Sequence, residues 1–569
     1  MKPTSNRSKK NIIAASLVLA MTMPAAAQAS ANVALQANEL AQQTDTSAQV
    51  ANGQLIPVRI VAETLGAELK WNATNKAVTI TKGTSQIVLT IGKSVAIVDG
   101  KQVQSGQVLL DKNGNMLAQL RFINEALGSN VTWNADQQSV IFGENDYAGR
   151  ASSFVYQLFN NQHAKLATTL NEQLKKSLPA QALNAISQQY PLVYGAPTKQ
   201  LSTAIENNDV HTNVVMVYET DKTPLAITVR FDKAGLIDDL YFELAAPAGQ
   251  YAKPAYDKSN YAEEEVVVGE GEFALPGTLT VPAGEGPFPV VILVQGSGPH
   301  DRDSTIGGTK VFKDIAAGLA AQNIAVLRYE KISREHTFKL SSQPTFSVKN
   351  ESADDALRAV ALLKKTDKID SSRIFVAGHS QGGYVMPMII DNDRNNDIAG
   401  AILLSAPSEN ITTVLVEQQN EGLDRMKKLG LPAEMIASQE QAAEAWTSIV
   451  EMIHNPDYSA EKPPANFPVP PAYWWYEQRD YEPAAAAQKQ TKPLLILQGE
   501  NDWQVSMKQL EGWKKALQAK PEVKFVSYPN VNHLLTEYEG LSIGIEYNTA
   551  AHVSASIIND MATWVNSKK

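Results

Sequence analysis

Ser380 has the neighbours of a nucleophile. It stands in Gly378-His379-Ser380-Gln381-Gly382, after the apolar run Ile374 to Ala377 and before Val385, Met386, Ile389 and Ile390 at helical spacing. A G-x-S-x-G string between strand and helix holds the hydroxyl on a tight turn. The glycines admit close backbone approach, and the helix start favours developing negative charge. A serine hydroxyl is a weak nucleophile, so it needs a base, and the base needs an orienting acid. Downstream, Asp502 and Glu500 are candidate acids after the apolar run Leu494 to Gln498. His533 follows the run Lys524 to Tyr528; its rivals are His454, which precedes Asp502, and His552, expected inside a helix running to Val565. His379 fills a variable position of the turn and is expected to pack beside it.

The elements that must hold these residues alternate. Apolar, β-rich runs at Phe288 to Val294, Ile324 to Tyr329, Ile374 to Ala377, Ala401 to Ser405, Leu494 to Gln498 and Lys524 to Tyr528 are separated by helical patterns. These are Val311 to Ala321, Ala353 to Lys364, Gly383 to Ile390 and Met507 to Ala519, and Val266 to Val268 with Thr278 to Val281 forms an entry hairpin. Such alternation predicts an α/β domain over about residues 263–569, with a mostly parallel sheet covered on both faces and ligands at the carboxyl ends of its strands.

With this elbow in this context, the chain resembles the α/β-hydrolase family. The resemblance implies the order Ser, acid, His, and so assigns Asp502 as the acid and His533 as the base. It implies an oxyanion hole built from the N–H of Gln381 and a second N–H in the loop Gln295-Gly296-Ser297-Gly298-Pro299-His300-Asp301-Arg302-Asp303. Ser297 is the choice for that second donor, with Gly298 as alternative, while Arg302 and Asp303 are expected to brace the loop. The loop string is similar to that of small bacterial esterases related to dienelactone hydrolases, which carry cysteine where this chain has Ser380. The family also implies a cap between the strands ending at Ser405 and starting at Leu494, here about residues 409–492. Its helical patterns Val414 to Leu429 and Ala433 to His454 precede the cluster Tyr473-Trp474-Trp475-Tyr476 with Tyr481, which either lines a pocket or staples the cap.

At 569 residues the chain is expected to hold about three to four domains. Its net charge of −10 argues against a nucleic-acid partner, and the lack of cysteine excludes disulfides and thiolate metal sites. Residues 1–29 read as a signal peptide: basic Lys2, Arg7, Lys9 and Lys10, an apolar stretch, then Ala27-Gln28-Ala29. The mature protein is therefore expected to be exported, secreted or envelope-associated, with no membrane span. An internal duplication follows. Arg59 and Arg121, Glu63 and Glu125, Gly66 and Gly128, and Trp71 and Trp133 all stand 62 residues apart. Each copy predicts a short helix, a glycine stop and a strand. Residues 50–145 resemble the copper amine oxidase N-terminal-like domain, a stalk module. Copper itself is not expected, because the first histidine is His163. Trp71 and Trp133 are expected in the core, and envelope contact is the role assigned to the module. Residues 150–247 predict helices followed by an antiparallel meander, a small α+β domain resembling cystatin- or NTF2-like modules. His163 and His211 lie there as ordinary histidines without visible partners.

These features combine into an exported serine hydrolase of small carboxylic esters, α/β in fold and preceded by two smaller α+β domains, with no cofactor or metal. The alternatives are a peptidase or amidase with the same residues, and a non-catalytic envelope-binding protein.

Overall fold

The computed structural model describes residues 54–129, 131–136, 138–245 and 251–568. The expected signal peptide lies outside these residues. Contacts divide the chain into two compact units. One comprises Pro247–Glu335 and Gln343–Lys569; the other comprises the described residues up to 245 together with His336–Ser342.

The larger unit is built on eight strands: β1 (Tyr261–Val268), β2 (Leu275–Pro282), β3 (Phe288–Val294), β4 (Ala325–Tyr329), β5 (Ile369–His379), β6 (Ile398–Leu404), β7 (Leu494–Gly499) and β8 (Val523–Tyr528). Their order in the sheet is β1-β2-β4-β3-β5-β6-β7-β8. β1 and β2 pair antiparallel, as does β2 with β4, and every pairing beyond that is parallel. β3 and β7 are buried at every residue, the pattern of strands covered on both faces. Alternate residues Val291 and Leu293, Phe375 and Ala377, and Leu495 and Leu497 join one apolar cluster with Phe312 and Ile315 of α1 (Val311–Ala320). Ile557, Ile558 and Met561 of the last helix (Ala555–Ser567) complete it. α2 (Asp354–Leu363) precedes β5. After the elbow come α3 (Gln381–Tyr384) and α4 (Met386–Asn392). The sequence predicted one helix here. Pro387, at the start of α4, has no N–H to continue the ladder of α3.

Between β6 and β7 lies the cap: α5 (Ile411–Lys428), α6 (Ala433–His454), α7 (Ala472–Glu477) and α8 (Pro483–Ala487). It has a small core of its own, Ile453, Val469 and Trp475, with Leu415, Trp446 and Ile449 packed against them. Among the described residues no helix is long and apolar enough to cross a membrane.

In the smaller unit the repeats interlock, because Leu55–Pro57 pairs antiparallel with Met116–Gln119. Both repeat helices keep the same ion pair one turn apart, Arg59–Glu63 at 3.2 Å and Arg121–Glu125 at 2.8 Å. The two tryptophans part company: Trp133 is buried, but Trp71 is 42% exposed and corrects the core expectation. Its strand, Glu68–Asn72, is the edge of a five-stranded sheet and has no buried residue. Farther on, four helices between Tyr147 and Tyr194 precede a four-stranded antiparallel meander. Its first strand, Gln200–Asn207, escaped sequence reading, being polar and exposed along nearly its whole length.

Candidate active site

Ser380 sits directly after β5 with φ 53° and ψ −118°, a conformation that costs a non-glycine residue on the order of 1–3 kcal/mol. The surroundings enforce it. The Ser380 N–H donates to the Leu404 carbonyl at 2.9 Å, and the Ser380 carbonyl accepts from the N–H groups of Gly383 and Tyr384, both at 2.9 Å. A Cβ at position 378 would lie 2.2 Å from the Gly382 carbonyl oxygen, and one at position 382 would lie 2.2 Å from that of Val294. Only glycine fits either side of this turn. Gln381 opens α3.

Asp502 is buried just beyond β7. Its Oδ1 accepts from the N–H groups of Gln504 at 2.8 Å and Val505 at 2.9 Å, and its Oδ2 lies 2.7 Å from His533 Nδ1. The rival Glu500 is exposed and accepts from the Ser527 hydroxyl at 2.7 Å. His533 is buried, with its ring 4.7 Å from that of His379, and its carbonyl accepts from His379 Nε2 at 2.8 Å. Burial, then the neighbouring His533, pushes His379 down to about 3, so it stays uncharged beside the elbow. His533 is thus bonded to Asp502 and His379 and not, among the described residues, to the Ser380 hydroxyl. Such bonds commonly close only with substrate in place.

His552 corrects one expectation. It precedes the last helix rather than lying in it, and its Nδ1 is 3.1 Å from Asp314 Oδ2. The same oxygen accepts the Val553 N–H at 3.0 Å, which holds this stretch out of the helix. His454 lies in the cap, 2.9 Å from the Thr412 hydroxyl.

The loop after β3 closes over the elbow: a Cβ on Gly296 would stand 3.2 Å from Ser380 Cβ. Ser297 is exposed, and its carbonyl accepts from His300 Nε2 at 2.8 Å. Arg302 does brace this loop, bonding Glu265, Glu330 and Thr278, while Asp303 pairs with Arg328 and Lys310. Sequence reasoning missed Lys331 and Glu351. Lys331 is 2% exposed; its Nζ donates to the Gly296 carbonyl at 2.7 Å and lies 3.2 Å from Glu351 Oε1. Glu351 Oε2 accepts from Gln381 Nε2 and from Trp474 Nε1, each at 3.0 Å. Burial pushes the Lys331 ammonium down, and Glu351 opposes this only in part. Burial pushes the Glu351 carboxyl up, but Lys331 and Gln381 outweigh it and the net shift is downward.

The aromatic cluster divides: Trp474 and Tyr481 reach out of the cap, to Glu351 and the Tyr384 carbonyl, while Tyr476 and Trp475 bind within it. The Tyr476 hydroxyl donates to the Met452 carbonyl at 2.9 Å, and Trp475 packs on Trp446. A third missed residue is Arg425 of α5, buried in the cap. Its guanidinium donates to the carbonyls of Asn501 at 2.9 Å, Asp502 at 3.2 Å and Ser542 at 3.1 Å.

Elsewhere, the smaller unit gathers His211, Asp238 and His336 with ligand atoms within 4.8 Å of one another. His211, expected to lack a visible partner, is bonded to Asp238. A Lys339 ammonium lies 2.6 Å from the same carboxylate oxygen, so the chain's own cation already occupies the charge.

Residues 305–539 match the family described as serine aminopeptidase, S33, and residues 36–142 match the copper amine oxidase N-terminal domain. Copper does not fit the latter: residues 54–142 hold no histidine, and the chain has no cysteine. Among solved structures, an esterase of Pyrococcus furiosus is 13% identical, covering 58% of this chain and 99% of its own, with a TM-score of 0.34. A protease inhibitor of Brevibacillus choshinensis is 28% identical over 117 residues, 21% of this chain and 36% of the inhibitor. Esterase EstD of Thermotoga maritima is 32% identical over 436 residues, 75% of this chain and 96% of EstD. Nearly the whole of that enzyme thus aligns with this chain, which belongs with it to the esterases of the α/β-hydrolase family.

Proposed function

We propose that the protein is an exported serine esterase whose nucleophile is Ser380. His533 Nε2 takes the proton as Ser380 Oγ attacks the ester carbonyl, with Asp502 holding Nδ1 and steadying the imidazolium. The tetrahedral oxyanion is received by the N–H groups of Gln381 and Ser297. Collapse expels the alcohol, which takes the proton from His533. Water, deprotonated by the same imidazole, then attacks the acyl-serine and releases the acid. The observation that carries this is the 2.7 Å Asp502–His533 contact, with His533 bonded to His379, the residue just before the strained Ser380. Ser380→Ala is expected to fold normally and to lose about 10⁴-fold or more of ester turnover. Near wild-type turnover in that variant would overturn the assignment.

The match to a serine aminopeptidase family supports a second reading, amide hydrolysis by the same residues. Turnover of an ester and an amide carrying one acyl group separates the two: esterase action predicts a strong ester preference, peptidase action comparable rates. Export rests on the charge and hydropathy of residues 1–29 and is tested by the N-terminal residue of protein recovered from the medium or envelope. Envelope contact by the duplicated module is tested by sedimentation with cell-wall material.

A further inference from the structure

Lys331 is an odd residue to bury. It lies just past the end of β4, in a run of charged residues that reads as surface, yet it is 2% exposed. It grips the loop after β3 at two points: its own N–H donates to the His300 carbonyl at 3.1 Å, and its Nζ donates to the Gly296 carbonyl at 2.7 Å. The second contact has a geometric consequence. The Gly296 carbonyl and the Ser297 N–H belong to one planar trans peptide and point in opposite directions. Holding the oxygen therefore fixes the direction of the N–H. The same ammonium lies 3.2 Å from Glu351, whose other oxygen accepts from the Gln381 side chain, and Gln381 carries the other oxyanion donor. That oxygen also accepts from Trp474 of α7, in the cap.

We infer that Lys331 and Glu351 form a buried positioning pair that aims both arms of the oxyanion hole and ties them to the cap through Trp474. The inference rests on Ser380 being the nucleophile. Neither residue touches the reacting atoms. An isolated ion pair buried this deeply gains little stability over an apolar pair of equal volume. An ordered donor peptide, by contrast, bears directly on rate, since oxyanion stabilisation is felt in the transition state and not in the ground state.

Three measurements on the full chain test it. First, a fluorophosphonate should label the wild type and not Ser380→Ala; labelling of that variant would defeat the nucleophile assignment and the inference with it, whereas a failure in the next two measurements alone defeats only the inference. Second, the charge-neutral double variant Lys331→Met/Glu351→Gln is compared with wild type on one activated ester. The expected loss is about 10²-fold in kcat with KM within about threefold, the scale of one oxyanion donor misaimed. An alkyl boronate, whose tetrahedral adduct fills the hole, should weaken by a similar factor. Third, should the double variant fail to fold, the Glu351→Gln and Glu351→Ala variants decide. Gln keeps one accepting oxygen, enough for Gln381 and Trp474 on one side of the carboxylate but not for Lys331 as well, where Ala keeps none, so it should retain several-fold more kcat than Ala at equal KM. A folded double variant with kcat within threefold of wild type, or with full boronate affinity, overturns the inference. So does equal loss in Glu351→Gln and Glu351→Ala.

Discussion

Asp355, in the first turn of α2, carries a buried carboxyl whose Oδ1 accepts from the Arg358 guanidinium at 2.6 Å. Burial pushes it up to about 7, against about 4 in an unfolded chain. Between those values the unfolded form gives up its proton first, so the folded state binds more protons and stability falls as pH rises through the window. Asp355→Asn keeps the shape without the charge. It should be more stable than wild type at pH 8, by an amount on the order of 2–4 kcal/mol, with the gain vanishing near pH 4. Urea unfolding at both pH values checks this, and no gain at pH 8 would refute the ionisation account. His379 acts with the opposite slope. Its folded value of about 3 lies below the ordinary 6.5, so the stability it contributes is present above pH 6.5 and is lost as pH falls toward 3. Both groups sit in the esterase unit, and with pH they tilt its stability in opposite directions.

At the scale of elements, the cap meets the Asp502 loop through Glu417, which accepts from the Ser506 hydroxyl, and through Arg425. Arg425 of α5 satisfies three carbonyls on the loops after β7 and β8, among them that of Asp502 itself. A lysine has one point charge and no planar fork to span them. Arg425→Lys should therefore loosen the Asp502–His533 geometry, lowering kcat by about tenfold while KM changes little, as expected when positioning rather than binding is lost. An Arg425→Lys enzyme with unchanged kcat would show that the cap leaves Asp502 alone. The sheet that bears these loops was legible in the sequence because β3, β4, β6 and β7, and β5 from Ile374 on, are buried nearly throughout and read as apolar runs. The elbow was legible because only glycine fits its flanks. Lys331, Glu351 and Arg425 were not, since a charged residue buried by partners distant in sequence looks like any solvated one until those partners are in place. His552 was misread for a related reason: its stretch has helical periodicity, but Asp314 of α1 takes the Val553 N–H.

At the scale of the whole molecule, the chain visits the smaller unit twice. It leaves the esterase unit after Glu335, contributes His336–Ser342 to the smaller unit, and returns at Gln343. Those seven residues are not ornamental there. The N–H groups of Phe338 and Lys339 donate to the buried Asp239 carboxylate at 2.9 and 3.0 Å. Lys339 Nζ lies 2.6 Å from Asp238, and the Ser177 hydroxyl donates to the Lys339 carbonyl at 3.2 Å. Phe338 joins the unit's apolar cluster, with its ring 6.1 Å from that of Phe242. Remove the segment and two carboxylates lose buried partners while a cavity opens where Phe338 stood. Losing one partner of a buried ion pair costs about 3–5 kcal/mol, and deleting a core Phe side chain costs a similar amount. Together these rival the ~5–15 kcal/mol that holds a domain folded. A fragment of residues 54–245 should therefore unfold far below the intact protein or fail to fold. Phe338→Ala in the full chain should destabilise the smaller unit while sparing ester turnover more than Ser380→Ala does. Thermal unfolding followed by circular dichroism on the fragment and the variant decides the matter. A fragment melting cooperatively at the temperature of the intact protein would mean that His336–Ser342 is a passenger and that the smaller unit stands on its own contiguous stretch of chain.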